Sequence, residues 1–205
     1  MHEGVLSDEQ VKLLPLVAEF SGEYGLVGGT AVALQLGHRR SVDFDMVTLG
    51  ELKNESIVER IKKNYPIQKS IVDGRDELTV VVESVKLTFL RYPFAIDFAV
   101  NLDNKLRVPD VKTLAAMKGY ALGRRAKWKD YVDLYFIFRK HTLGEVVKTS
   151  KDIFADEFSE KQFREQLSYF EDIDYSETID YLEGMQVSDE EIKKTLTEIS
   201  LQKDT

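Results

Sequence analysis

Two aspartates at i and i+2 in an apolar run, Val42-Asp43-Phe44-Asp45-Met46, are the residues whose types and spacing most directly imply chemistry. In a β-strand alternate side chains share a face, so Asp43 and Asp45 project together while Val42, Phe44 and Met46 turn into the core. Carboxylates held side by side repel each other, and a divalent cation relieves them. Oxygen ligands at a site that also meets phosphate suit Mg²⁺. A second feature lies just upstream. Gly28 and Gly29 let the backbone approach a ligand closely, and a helix from Thr30 to Leu36 aims free N–H groups and its positive dipole end at an anion. Each half alone, a Gly-Gly turn or an Asp-x-Asp, is commonplace and reads as structural. In this order, one helix apart, they form an anion cradle beside a cation-binding pair, the layout for a metal-bound nucleoside triphosphate.

The stretch resembles motif I of the DNA polymerase β-type nucleotidyltransferase superfamily: a hydrophobic residue, Gly-Gly or Gly-Ser, a helix, then Asp-hydrophobic-Asp. More closely, Gly28-Gly29-Thr30-Ala31 followed by Gly37-His38-Arg39-Arg40-Ser41-Val42-Asp43-Phe44-Asp45 is similar to the AbiEii/AbiGii toxins of type IV toxin–antitoxin systems. Ala116-Met117-Lys118 and the run from Arg124 through Lys129-Asp130-Tyr131-Val132-Asp133-Leu134 to Tyr135 resemble that family's downstream lysine and Lys-Asp-x-x-Asp-Leu motif. A weaker likeness reaches Leu167 to Asp172.

The resemblance implies a Mg²⁺-dependent nucleotidyltransferase. Asp43 and Asp45 would hold one or two ions and align an acceptor hydroxyl for in-line attack on the α-phosphorus of an NTP. Gly28, Gly29 and Thr30 would receive the phosphates, Lys118 would add a catalytic cation, and Asp130 and Asp133 would belong to the nucleotide site. The residues leave alternatives beside each role. Without the resemblance, Lys118 reads as a solvated helix lysine. Arg39 and Ser41 flank the metal strand, and either contacts phosphate, or Ser41 ties loop to strand. Asp130 and Asp133 also suit a helix anchored by salt bridges to Arg124, Arg125 or Lys129.

One departure from the superfamily stands out. A third carboxylate normally projects from a later strand, and Thr88 takes its place in Val85-Lys86-Leu87-Thr88-Phe89-Leu90. Asp97, in Ala95-Ile96-Asp97-Phe98, is the preferred catalytic substitute, with Glu83 also near. The activity that the resemblance implies is that of a toxin of a toxin–antitoxin or phage-defence pair. It would transfer nucleotides or NMP to an RNA, tRNA included, or to a protein hydroxyl, with a cognate antitoxin as partner. Its rival is a nucleotide- or partner-binding module of the same fold without turnover, a reading that Thr88 motivates.

Composition bounds the rest. The chain has 205 residues, 43% of them hydrophobic, enough for one substantial core. No long apolar span or signal-like start is seen, so no membrane partner and a cytoplasmic location are expected. With Cys 0, disulfides and thiolate sites are excluded, and His2, His38 and His141 are too dispersed for a zinc cluster. The net charge of −8 argues against a general nucleic-acid binder. Yet Lys105, Arg107, Lys112, Lys118, Arg124, Arg125, Lys127 and Lys129 gather into a basic strip, either a seat for triphosphate or RNA backbone or a solvated helix face. From Asp152 onward the chain is strongly acidic.

The elements that must position these residues follow from periodicity. Ser7 with Gln10 forms a capping box for a first helix, and Tyr24 to Val27 reads as a short strand. Glu51 to Asn64 reads as a helix closed by Pro66, then Ile67–Val72, Leu78–Glu83 and Val85–Tyr92 as strands, with Glu83-Ser84 a tight turn. Asp110 caps a helix to about Leu122, burying Val111, Leu114, Met117, Tyr120 and Ala121. Further helices are predicted over Lys129–Lys140, Val146–Phe154, Glu160–Phe170, Ser176–Glu183 and Asp189–Leu201. The fold class is α+β: a polymerase β-like core of mixed sheet flanked by helices over 1–108, with a helical C-terminal region over 109–205 packed on it.

Overall fold

The structure is a computed structural model that describes residues 1–202. Helix α1, Asp8–Phe20, starts with the predicted capping box, in which the Ser7 hydroxyl accepts from Gln10 N–H and the Gln10 side chain accepts from Ser7 N–H. Strand β1, Gly25–Val27, runs straight into α2, Gly28–Leu36, which Gly37 ends in the left-handed conformation. Strand β2, Asp43–Thr48, follows. Phe44 and Met46 are buried as expected, each burial contributing about 1.5–3 kcal/mol. Val42 is not: it lies one residue before the strand and is 65% exposed, because the alternation that would bury it begins only at Asp43.

Helix α3, Asn54–Lys62, starts later than predicted, since Leu52 is buried from the approach loop instead. Strands β3, Ile67–Asp73, β4, Glu77–Val82, and β5, Val85–Arg91, form the meander. Glu83 and Ser84 both take positive φ, the two-residue hairpin turn whose twist matches its strands. The sheet order is β1-β2-β5-β4-β3. Among the described strands of this sheet β2 and β5 alone pair in parallel, an arrangement that the α3–β4 crossover makes possible. A short hairpin, β6 Val100–Leu102 and β7 Leu106–Val108, was not foreseen; its turn residues Asp103 and Asn104 also take positive φ.

Five helices follow: α4 Val111–Leu122, α5 Trp128–Phe138, α6 Leu143–Phe154, α7 Glu160–Ser168 and α8 Asp189–Ser200. Asp110 caps α4 through Thr113 N–H. The buried stripe of α4 differs from the prediction. Leu114, Ala115, Ala116, Gly119 and Leu122 face the core, with Gly119 admitting the Phe163 ring, whereas Met117, Tyr120 and Ala121 line a cleft. The predicted helix over Ser176–Glu183 does not form. That stretch is an extended strap. Asp174 exchanges backbone bonds with Ala126 and Trp128, Asp180 accepts from Arg40 N–H, and Leu182 N–H donates to His38 O. The strap uses its backbone groups on distant partners, which a helix would have kept to itself. Residues 203–205 of the predicted C-terminal region lie outside the described residues. No described helix is long and apolar enough to cross a membrane.

Candidate active site

Strand register builds the site. On the face of β2 away from Phe44 and Met46, Asp43 lies beside Lys86 and Asp45 beside Thr88 of β5. Above Asp45, Lys86 and Thr88 opens a cleft of about 540 Å³, while Asp43 lines a smaller groove on the Arg39 side. Gly28 and Asp45 form one wall, Lys86 and Thr88 the floor, and Lys118, Arg125 and Asp130 the roof. The carboxylate of Asp45 has no hydrogen bond or ion pair among the described residues. Burial pushes its pKa up, and the neighbouring Asp43 pushes it further. Asp43 instead meets Lys86, with Nζ 2.8 Å from Oδ2. A larger open groove of about 760 Å³ beside Leu49–Ser56 holds none of the residues singled out by sequence.

Gly28 is required where it stands. Its φ is +72°, and a Cβ there would collide with Asp45 Oδ2. Gly28→Ala is therefore expected to cost about 1–3 kcal/mol from left-handed strain and the displaced carboxylate, read as a shift in urea midpoint at constant slope. An unchanged midpoint would show that the turn relaxes freely.

Lys118, Asp130 and Asp133 form a buried ionic core against the cleft. Lys118 Nζ lies 2.6 Å from both Asp130 Oδ1 and Asp133 Oδ2. Asp133 also takes a two-pronged bond from Arg39, Nε to Oδ1 at 2.7 Å and Nη2 to Oδ2 at 2.8 Å, and meets His38 Nε2 at 2.7 Å. Burial alone would raise the Asp133 pKa, but Arg39 and Lys118 hold it well below the usual carboxylate range. The same two aspartates, against the pull of burial, keep Lys118 protonated. Asp130 Oδ2 is buried without a hydrogen-bond partner, with Arg125 Nε 3.8 Å away. Burial thus leaves one acceptor at the cleft wall short of a donor.

Several expected binding residues are placed otherwise. The Thr30 hydroxyl is buried and bonded to Asp43 O and Ser41 Oγ, so Thr30 and Ser41 fasten the start of β2 to α2 and do not face the cleft. Arg39 is 4% exposed and fully engaged with Asp133 and the Arg40 carbonyl; it lines a separate groove of about 130 Å³ with Asp43 and the strap. Gly29 packs against this guanidinium, a Cβ there standing 2.6 Å from Arg39 Nη2. Asp97, the preferred third carboxylate, is exposed in the irregular stretch after β5 and does not line the cleft. Pro93 and the lost pairing beyond Arg91 turn the chain away before Asp97 is reached. Of the three expected salt-bridge partners only Arg125 takes part, with Nε 3.8 Å from Asp130 Oδ2; the closer cations are Lys118 on both aspartates and Arg39 on Asp133.

Sequence reasoning overlooked Glu77, Tyr92, Met117 and Tyr120 on the cleft walls. Glu77 lies opposite Leu90, on the Thr88 face of the sheet, its Oε1 accepting from Thr79 Oγ1 at 2.9 Å. Once β4 and β5 were paired by their Glu83-Ser84 turn, alternation put Glu77, Thr79 and Thr88 on one face, a signal available in the sequence. On the strap, Glu177 holds Lys127 and Lys129, and although burial opposes it these ammoniums bring its pKa down to about 2. With Glu177 42% exposed, Glu177→Gln is expected to lower stability by less than about 1 kcal/mol, measured as a small fall in Tm. That contribution is present above the unfolded carboxylate pKa and lost as pH falls through about 2.

The residues present fit Mg²⁺. Among the described residues no three acidic or histidine side chains converge on one point. However, Mg²⁺ characteristically takes one or two carboxylates, with water and substrate phosphate completing its shell, and the unpartnered Asp45 beside Asp43 offers that set.

The chain is 31% identical over 176 residues to the uncharacterized protein aq_aa25 of Aquifex aeolicus (strain VF5), covering 82% of this chain and 84% of that one. It belongs to the aq_aa25 family. No family model matches it. Among solved structures, MenT4, a nucleotidyltransferase toxin from Mycobacterium tuberculosis H37Rv, superposes with a TM-score of 0.65 at 15% identity, over 94% of this chain and 82% of that one. JHP933 from Helicobacter pylori gives 0.57 at 17% identity, over 95% and 91%. The aq_aa25-family chain therefore has the fold of nucleotidyltransferases, a mixed five-stranded sheet flanked by helices.

Proposed function

We propose that this protein is a metal-dependent nucleotidyltransferase that moves the nucleotidyl group of an NTP to a hydroxyl of an RNA acceptor, and that it acts as a toxin restrained by a cognate antitoxin. The observation that carries the reading is the convergence of an unpartnered Asp45, the Gly28 turn and the orphaned Asp130 oxygen on one cleft. Asp43 and Asp45 would hold Mg²⁺, which when bound supplies charge neutralisation at the phosphates. Gly28 presents backbone N–H groups at the start of α2 to the triphosphate. Asp130 accepts a hydrogen bond from the nucleoside, and Lys118 fixes its orientation. Met117, Tyr120 and Tyr92 give the base an apolar wall. Exposed Arg124 and Arg125 at the rim attract the acceptor backbone.

The toxin role is supported by the shared fold with MenT4 and by the resemblance of Gly28–Asp45 and Lys118–Asp133 to the AbiEii/AbiGii motifs. One observation favours a second reading. Thr88 stands beside Asp45 in the register where the superfamily's third carboxylate would be, and Lys86 already neutralises Asp43, as suits a binding module without turnover. Incubation of the protein with each α-labelled NTP, total tRNA and lysate separates the two. Label transfer that disappears in Asp43→Ala/Asp45→Ala is the expected result; nucleotide binding with no transfer to any acceptor overturns the enzyme in favour of the module.

A further inference from the structure

Lys86 sets an ammonium against one of the two carboxylates that would hold a metal ion. Its Nζ lies 2.8 Å from Asp43 Oδ2, and the pairing of β2 with β5 fixes it there, one register step from the Asp45–Thr88 pair. It lines the same cleft as Gly28, Asp45 and Asp130. Asp43 has no other cationic side-chain partner among the described residues.

Charge arithmetic separates one ion from two. The two carboxylates carry −2 and the ammonium returns +1, leaving −1 for an entering cation. One divalent ion brings the pair with its ammonium to +1, so in the nucleotide-free site a second ion would meet a net positive charge. A second would bring it to +3, and Thr88, a neutral hydroxyl, contributes no charge where a third carboxylate would. Glu77, tied to Thr79 on β4, sits two strands from β2 and leaves the Asp43–Lys86 pair untouched.

We propose that Lys86 is a permanent tethered cation standing in place of a second metal, so that the site admits a single divalent ion, held by Asp45 together with the remaining oxygen of Asp43. This rests on the nucleotide-site reading above. Lys86 is then a positioning residue in the metal-free protein, holding the repelling pair together. In the loaded protein its ammonium turns to the triphosphate and at the same time weakens ion entry by like-charge repulsion. A lysine whose side chain merely rests on the surface would do none of these things.

Mn²⁺ counts the ions directly. Electron paramagnetic titration of the full chain, with and without a non-hydrolysable NTP analogue, is expected to give one Mn²⁺ per chain. Lys86→Met should bind its first Mn²⁺ about tenfold more tightly and melt at a lower temperature than wild type in the absence of metal, while Lys86→Arg keeps both wild-type values. The lysine is 42% exposed, so both variants keep the packed core intact. Two Mn²⁺ per wild-type chain, or an unchanged affinity in Lys86→Met, overturns this inference and leaves the nucleotide site standing. A wild-type chain that binds neither Mn²⁺ nor the analogue overturns the nucleotide reading and this inference with it.

Discussion

Asp133→Asn is expected to cost about 3–5 kcal/mol of folding stability, the largest loss of any single substitution around the cleft. The carboxylate is fully buried and is the common partner of Arg39, Lys118 and His38. Asparagine keeps the shape and removes the charge. Two buried cations then face Asp130 alone, and one of them, Arg39, has no way to lose its proton. Urea unfolding with an unchanged slope and a lowered midpoint is the readout, and a loss below about 1 kcal/mol would mean that the cluster rearranges around a neutral side chain. The pH dependence follows in sign. The folded pKa of Asp133 is depressed, so its stabilisation is complete above the unfolded value near 4 and disappears as pH falls through the lower folded value. The wild type should therefore lose stability steeply in acid below about pH 4, and Asp133→Asn should show a flatter acid limb.

Asp45→Asn is expected to abolish nucleotidyl transfer, by about 10³-fold or more, without harming the fold. A carboxylate on a metal contributes several kcal/mol to charge stabilisation, and each 1.36 kcal/mol is about tenfold in rate. In the metal-free protein the same charge is a liability: burial and Asp43 raise its pKa, and the more distant Lys86, Lys129 and Arg125 offset that only in part. Because the folded pKa is raised, the folded state loses relative stability as pH rises through it, the reverse of Asp133. Asparagine removes that penalty, so the variant should melt no lower than wild type and Mg²⁺ should no longer raise its Tm. Retained transfer in Asp45→Asn would move the chemistry elsewhere, to Glu77 as the nearest unassigned acid of the cleft.

The aspartate strand and the glycine turn were legible because their signals are local: alternation across Asp43-Phe44-Asp45, and glycine ahead of a helix. The convergence of Lys118 with Asp130 and Asp133 was legible only through motif resemblance, since nothing in the spacing of α4 and α5 tells which side of each helix meets the other. Arg39 shows the limit most clearly. From sequence it flanks the metal strand and looks free to take phosphate; its actual partner lies 94 residues away. Met117 and Tyr120 were assigned to the core because a cleft wall and a core face have the same apolar period. The strap was misread as a helix for a related reason. Ser176 to Glu183 has adequate local propensity, but its backbone is claimed by residues 38 and 40.

Those few backbone bonds from Asp180 and Leu182 to the loop ahead of β2 impose an order of events on biosynthesis. The aspartates are translated early, yet the loop that sets their strand is fastened by a segment that leaves the ribosome about 140 residues afterwards, so this fastening is among the last contacts to form. A nascent chain would carry the loop ahead of Asp43 unfastened until residue 182 had been made, leaving the entry to the aspartate strand the last part of the sheet to be pinned.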